Sequence, residues 1–236
     1  MKSYLISSTK KSSGKTIIAT GISSILSRTD SLAVFKKGPD YIDPYWLSLA
    51  SKVNCYNLDF FTMSNSEIKK LYKQMSYEKN ISIIEGNKGL FDGISLDGGD
   101  SNASLAHLLK LEVILVIDCV GMTRGVAPLL KGYQEFDKKI KYKGIILNNI
   151  ANDRHENKVI NAINEFTKLK VIGSIHKNKQ LTIMEKKLGL EPVFQNPYTK
   201  NIIKNISSVI KKSVDMKYLI NKKTNNKDNK IPKVVL

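Results

Sequence analysis

Short runs of Ile, Val and Leu recur along the chain, separated by stretches whose apolar positions return with a helical period. Ser3 to Ser7, Leu32 to Lys36, Ile81 to Glu85, Val113 to Asp118, Gly144 to Asn148 and Val171 to Ser174 read as strands. Gly14 to Ser27, Ser66 to Tyr77, Asn102 to Leu109, Arg124 to Phe136, His155 to Phe166 and Ile183 to Leu188 read as helices. The strand runs are continuous in hydrophobicity rather than alternating, so both faces of their sheet must be covered. Strands alternating with helices in this way predict an α/β fold: a doubly wound, mainly parallel sheet with helices on both faces. Ligands of such a sheet sit beyond the carboxyl ends of its strands, and no internal repeat interrupts the pattern.

Those carboxyl ends are where the polar residues collect, in the segments Ser7 to Thr16, Lys36 to Asp43, Glu85 to Asp92, Asp118 to Arg124 and Asn148 to His155. The first is a phosphate-binding loop. Ser12, Ser13 and Gly14 lead into a helix, so that backbone N–H groups converge on phosphate oxygens; Lys15 reaches the β/γ oxygens and the Thr16 hydroxyl ligates Mg²⁺. Thr9 stands where the standard loop has its first glycine, and the bland alternative is a Ser-rich turn capping an amphipathic helix. With this loop the expected fold becomes P-loop NTPase-like and ATP an expected ligand. Asp40 and Asp43 lie in a Gly/Pro-stiffened turn, and Glu85 and Asp92 lie beside glycines that let the backbone come close. Four acids beside a triphosphate need Mg²⁺ and cationic side chains for balance, and carboxylates are the usual hard-oxygen ligands of that ion. Either pair alone could simply cap a turn or a helix.

Composition narrows the partners. The net charge of +17 comes from 38 basic residues, of which only Arg28, Arg124 and Arg154 are arginine, and ten lysines lie between Lys200 and Leu236. A solvated lysine-rich surface and tail account for the excess, so nucleic acid is not an expected partner. Cys55 and Cys119 form no CxxC pair and suit a reducing cytoplasm. No apolar run approaches the roughly 18–20 residues that cross a bilayer, and Met1-Lys2-Ser3 leads directly into a strand, so a cytoplasmic protein without a membrane partner is expected.

Gly38-Pro39-Asp40-Tyr41-Ile42-Asp43-Pro44, Asn57-Leu58-Asp59, Glu85-Gly86 followed by Gly89-Leu90-Phe91-Asp92-Gly93, Gly121-Met122-Thr123-Arg124, Gly144 to Asn148, Arg154-His155 and Leu188-Gly189-Leu190 carry a resemblance. In this order they resemble the amidoligase half of the cobyrinic acid a,c-diamide synthases, from about residue 3 to residue 193. The resemblance implies ATP-dependent conversion of acetate side-chain carboxylates of a corrin or related tetrapyrrole into amides through an acyl phosphate. It implies Thr16 and Glu85 as Mg²⁺ ligands with Asp40 as a third, and Asp43 and Asp92 as groups that orient substrate or stabilise the acyl-phosphate step. Asn148 resembles the asparagine that reads adenine in related folds. Arg124 is expected as the further cation, because a planar fork holds carboxylate or phosphate bidentately in a chain that otherwise uses lysine. Lys10 matches a second phosphate-binding lysine of MinD- and ParA-type ATPases, or is a solvated lysine. Lys36 is expected to meet a substrate acetate or propionate. His107 and His176 are read as structural, the role of His155 is open, and Tyr41, Trp46 and Phe91 are read as core before macrocycle contacts.

The chain departs from the family at Ser8 and Ser12, where glycine is usual, at Leu47, at Asn87-Lys88 and at Lys186-Lys187. It is expected to divide into an ATP-binding amidoligase domain over 1–195 and a basic helical or linker tail over 196–236, with the glutaminase domain expected to be absent. Ammonia is then expected from a separate glutaminase chain or domain, or free in solution; a homodimer is compatible with this reading. Two rivals share the fold. A dethiobiotin-synthetase-like ligase would need Lys-Pro-Val and Glu-Gly-Ala-Gly segments that this sequence lacks. A MinD/ParA-like regulatory ATPase would use the apolar stripe Ile202, Ile203, Ile206, Val209 and Ile210 on a membrane, against which stands packing of that helix on the domain.

Overall fold

A computed structural model describes residues 1–178, 181, 185–186, 189–190 and 197–220. Strands β1 (Lys2–Ser8), β2 (Leu32–Lys37), β3 (Cys55–Leu58), β4 (Ile81–Glu85), β5 (Glu112–Asp118), β6 (Lys141–Ile150) and β7 (Val171–His176) form one sheet in the order β3-β2-β4-β1-β5-β6-β7. Every pairing within it is parallel. The intervening helices are α1 (Lys15–Leu26), α2 (Ile42–Ser51), α3 (Asn65–Met75), α4 (Asn102–Leu109), α5 (Val126–Phe136) and α6 (Asp153–Phe166).

The continuous apolar strands are explained by two separate cores, one on each face. Tyr4, Ile6, Ile114 and Val116 pack with α1 and α2, whereas Leu5, Val113, Leu115 and Ile117 pack with α3, α4, α5 and α6. Successive residues of one strand thus serve opposite layers.

Three elements differ from the sequence reading. Strand β3 escapes notice because it is an edge strand of four residues, mostly half-buried and carrying Asn57. Helix α2 occupies what reads as a turn: Pro44 falls in its first turn, where no hydrogen bond is lost, and Asp40 Oδ1 accepts from the N–H groups of Ile42 (2.9 Å) and Asp43 (3.2 Å). The helix expected over Ile183 to Leu188 is absent at its described residues, which form β8 (Glu185–Lys186), paired antiparallel with β9 (Gly189–Leu190). Nucleating so short a helix is unfavourable without packing, and the antiparallel pairing bonds the backbone of the described residues directly. Residues 183, 184, 187 and 188 of that expected helix lie outside the described residues.

The boundary expected at 195/196 also lies outside them, but the two helices C-terminal to it belong to the same body. Helix α7 (Thr199–Ser213) lays Ile203, Ile206 and Ile210 into the core beside α1, and α8 (Met216–Ile220) ends the described chain, with Leu219 O accepting from Tyr4 Oη at 2.7 Å. The apolar stripe of α7 is thereby used inside the protein, which removes the ground for a membrane-bound helix. Among the described residues no helix is long and apolar enough to cross a membrane.

Gly21 permits this contact: a Cβ there would lie 2.4 Å from Ile210 Cγ1 and 3.1 Å from Ile206 Cγ2. Replacing Gly21 by Val is expected to lower stability by about 1–3 kcal/mol through overpacking. A urea midpoint unchanged from the parent would refute the tight α1–α7 contact.

Candidate active site

The first strand-to-helix turn has the geometry of a phosphate loop. Ser12 (φ 57°) and Gly14 (φ 89°) are both left-handed, and a Cβ at Gly14 would lie 2.3 Å from Asn148 Nδ2, so glycine is demanded twice over. Asn148 Nδ2 donates to Ser13 O at 3.0 Å, holding the loop from β6; Ser13 Oγ donates to Lys10 O at 2.9 Å. Ser8, one of the departures, is used: its Oγ lies 2.6 Å from Lys10 O and 3.1 Å from Lys88 O and accepts from Lys15 Nζ at 2.9 Å. Burial pushes the Lys15 amine down to about 8, against the pull of Glu85.

Strand register brings the acids to this loop. Glu85 stands level with Ile6 of β1 and with Lys36 of β2. Its Oε1 accepts from Thr16 Oγ1 at 2.5 Å and from Lys36 Nζ at 3.1 Å. Lys36 Nζ also lies 2.6 Å from Asp43 Oδ2 and 3.8 Å from Asp40 Oδ2, and Thr16 Oγ1 lies 3.3 Å from Asp43 Oδ2. Thr16, Asp40, Asp43 and Glu85 are therefore one cluster, with Lys36 as its counter-charge. Glu85 is fully buried, and burial raises its carboxyl well above the ordinary range although Lys36 opposes this. Burial alone would lower the Lys36 amine, but Glu85 and Asp43 outweigh it and hold the ammonium charged. Asp40 is raised by burial and by Asp43.

Glu85 Oε2 is buried and without a hydrogen-bond partner. A hydroxyl and clustered carboxylates with one oxygen left over suit a hard divalent cation, so Thr16, Glu85 and Asp43 fit Mg²⁺.

The remaining residues are placed differently. Asp92 Oδ2 accepts from Gly89 N–H at 2.9 Å, and its charge opposes, more weakly than that of Glu85, the lowering of the Lys15 amine by burial. Arg124 is exposed and sits over the Phe166 ring at 5.2 Å, engaged on the α5/α6 side rather than with the acids. Lys10 is 62% exposed and pairs with Asp118 at 3.0 Å; burial would raise that carboxyl, but hydrogen bonds from Asn149 and Lys10 hold it low. His107 lies 2.6 Å from Asp137 and His176 lies 2.8 Å from Glu156; Trp46 is buried and Phe91 packs on Tyr133 and Phe136, whereas Tyr41, read as core, is exposed at the N-cap of α2. His155 Nδ1 accepts from Ala151 N–H at 3.1 Å, so the proton on Nε2 is the one given to Met122 O, tying the loop that bears Arg124 to the start of α6. Sequence reasoning missed Asn102, whose buried amide donates to Ser7 Oγ (3.0 Å), Gly89 O (2.9 Å) and Asn87 O and so locks the loop after β4 to β1. Behind Ser101, the α4 N-cap, it reads only as the start of a helix.

Fold and site together define a nucleotide-binding domain of the P-loop class. The MinD cell division protein of Aquifex aeolicus has the same fold, with a TM-score of 0.53 at 15% identity over 91% of this chain and 99% of that one. A family model described as an AAA domain (AAA_26) matches residues 39–185. The cobyrinate a,c-diamide synthase of Magnetococcus marinus is 40% identical over 216 residues, 91% of this chain and 46% of the relative. That of Methanococcus vannielii is 39% identical over 194 residues, 81% of this chain and 43% of the relative. The chain belongs to this AAA-domain family, and over most of its length it is similar to part of the cobyrinate a,c-diamide synthases. It spans a little under half the length of the curated relatives it matches.

Proposed function

We propose that this chain carries out ATP-dependent amidation of acetate side-chain carboxylates of a corrin or related tetrapyrrole, as the names of its relatives suggest. The observation that supports this best is the meeting of Lys15, the phosphate-loop cation, with the Thr16–Asp43–Glu85 oxygen cluster beyond the carboxyl ends of β1, β2 and β4. Lys15 neutralises the β/γ oxygens of ATP. Thr16 and Glu85, with Asp43 and Asp40 beside them, would hold Mg²⁺, which when bound supplies charge neutralisation at the phosphates. A substrate carboxylate oxygen attacks the γ-phosphorus, forming an acyl phosphate as ADP leaves. Ammonia then attacks the acyl carbon, loses a proton and expels phosphate, leaving the amide. Asp43 and Asp92 orient the substrate side chain. Asn148 supports the adenine side of the loop. Lys10 reaches phosphate by leaving Asp118, and Arg124 assists by leaving Phe166. Positioning and charge neutralisation are what this chemistry requires of a protein. The ammonia comes from a glutaminase chain or domain, or free from solution, and the active unit is a monomer or a homodimer. A regulatory ATPase is disfavoured because α7 has its apolar face covered by α1.

Incubating the protein with ATP, Mg²⁺, ammonium chloride and cobyrinic acid tests the proposal, with mass spectrometry reading replacement of a carboxyl –OH by –NH₂. Glu85→Gln keeps the shape of the side chain but removes its charge, and is expected to lower turnover about 10²–10³-fold. Amide formation by Glu85→Gln at the parent rate would overturn the assigned oxygen cluster.

A further inference from the structure

Three lysines lie buried at the carboxyl ends of β1 and β2, and they differ in what neutralises them. Lys36 touches three carboxylates. Lys15 and Lys37 are as deeply buried, 7% and 5% exposed, yet among the described residues neither has a carboxylate oxygen within salt-bridge distance. Lys15 rests on a neutral hydroxyl, Ser8 Oγ at 2.9 Å, and Lys37 on a neutral amide oxygen, Asn87 Oδ1 at 3.1 Å, with the Phe60 ring 5.7 Å away. A buried ammonium lacking a counter-charge is costly to hold unless an anion arrives. For Lys15 that anion is phosphate.

Lys37 cannot share it. Neighbouring residues of a strand point to opposite faces, so Lys37 leaves β2 on the side away from the Lys36 cluster, towards the loop after β4. The charged groups acting on it are Asp100, Asp59, Lys88 and Lys36. Both acids are committed elsewhere: Asp100 accepts from the N–H groups of Ile94 and Ser95 at 2.8–3.1 Å, and Asp59 from Phe61 N–H at 3.2 Å and Thr62 Oγ1 at 2.9 Å. Gly38, the next residue, has φ 90° and Asn87 Nδ2 within 3.2 Å of where a Cβ would stand, so the turn after Lys37 is drawn against the same amide.

We infer that Lys37, with Asn87 beside it, is the subsite for a carboxylate of the substrate other than the one being activated, so that Lys37 sets which polycarboxylate is accepted. The role expected for Lys36 thereby passes to its neighbour, because Lys36 is already saturated. This inference rests on the proposed amidation and deepens it.

The test compares steady-state kinetics of the parent protein, Lys37→Met and Lys37→Arg with ATP, Mg²⁺, ammonium chloride and cobyrinic acid. Lys37→Met is expected to raise KM for the tetrapyrrole about tenfold or more, the loss of one charged hydrogen bond. KM for ATP should stay within about twofold, and Lys37→Arg should recover most of the deficit. Merely structural damage would move both KM values together. As a second measurement, calorimetric titration should show Lys37→Met weakening cobyrinic acid binding about tenfold or more, while binding of a non-hydrolysable ATP analogue is unchanged. If the parent amidates cobyrinic acid but Lys37→Met leaves its KM unchanged, or binds cobyrinic acid as tightly as the parent does, the subsite is wrong and the proposed function stands. If the parent itself forms no amide, the functional reading fails first.

Discussion

Lys15→Ala is expected to lower the proposed ATP-dependent amidation about 10²–10³-fold while leaving the fold intact. No carboxylate lies within salt-bridge distance of this amine among the described residues; its contact is Ser8 Oγ at 2.9 Å. Removing it takes away charge at the transferring phosphoryl group without orphaning a buried acid, because Glu85 keeps Lys36. Single-turnover kinetics with saturating ATP would separate the lost chemistry from lost binding. The same amine predicts a pH profile. Burial lowers its pKa to about 8 in the free protein, so it is charged and attractive below that value and neutral above it. The kcat/KM for ATP, which reports the free protein, is expected to fall as pH rises through about 8, and in Lys15→Ala this limb should vanish. A variant with parental turnover would show that phosphate is held elsewhere.

Lys36→Met is expected to do a different kind of damage, lowering folding stability by about 3–5 kcal/mol near neutral pH. Lys36 is 3% exposed and is the charge partner of Asp43 and Glu85, so its loss leaves carboxylates close together without compensation. Such groups respond by holding protons. Their pKa values in the folded variant then lie above those of the unfolded chain, and protonation stabilises the fold fully only below the unfolded values. That contribution is lost as pH rises through the folded values. The deficit against the parent should accordingly shrink as pH falls from 8 towards 5. Urea unfolding at a series of pH values measures it. A deficit independent of pH would mean that Lys36 acts through packing and not through charge. Adding Glu85→Gln should return part of the loss, since the two sites share one interaction.

The site is legible in parts. Ser12 to Thr16, Asp40, Asp43, Glu85 and Asp92 stand out because a phosphate loop and acids at strand ends are local features, written in consecutive residues. Their partners are not local. Asn102 gives no sign that its amide ties Ser7 to Gly89, and Lys36 and Lys37 look equivalent until Lys36 is found among three acids and Lys37 on an amide. Arg124 stands out in the sequence for its fork, and the fold lays that fork on Phe166.

Hydrophobic continuity along the strand runs, read alone, was enough to dictate a parallel sheet covered on both faces, and glycine followed by lysine and threonine after the first run was enough to place a turn of phosphate-loop geometry at the head of α1. These depend on neighbours in the chain, whose geometry is set by backbone sterics and side-chain period. The edge strand Cys55–Leu58, the helix Ile42–Ser51, the joining of α7 to the core and the assembly of Thr16, Lys36, Asp43 and Glu85 were decided only in three dimensions. Strand order places β4 between β1 and β2, and only that register sets Glu85 beside both Ile6 and Lys36; a charge buried there is tolerable only because residues distant in the chain arrive to compensate it.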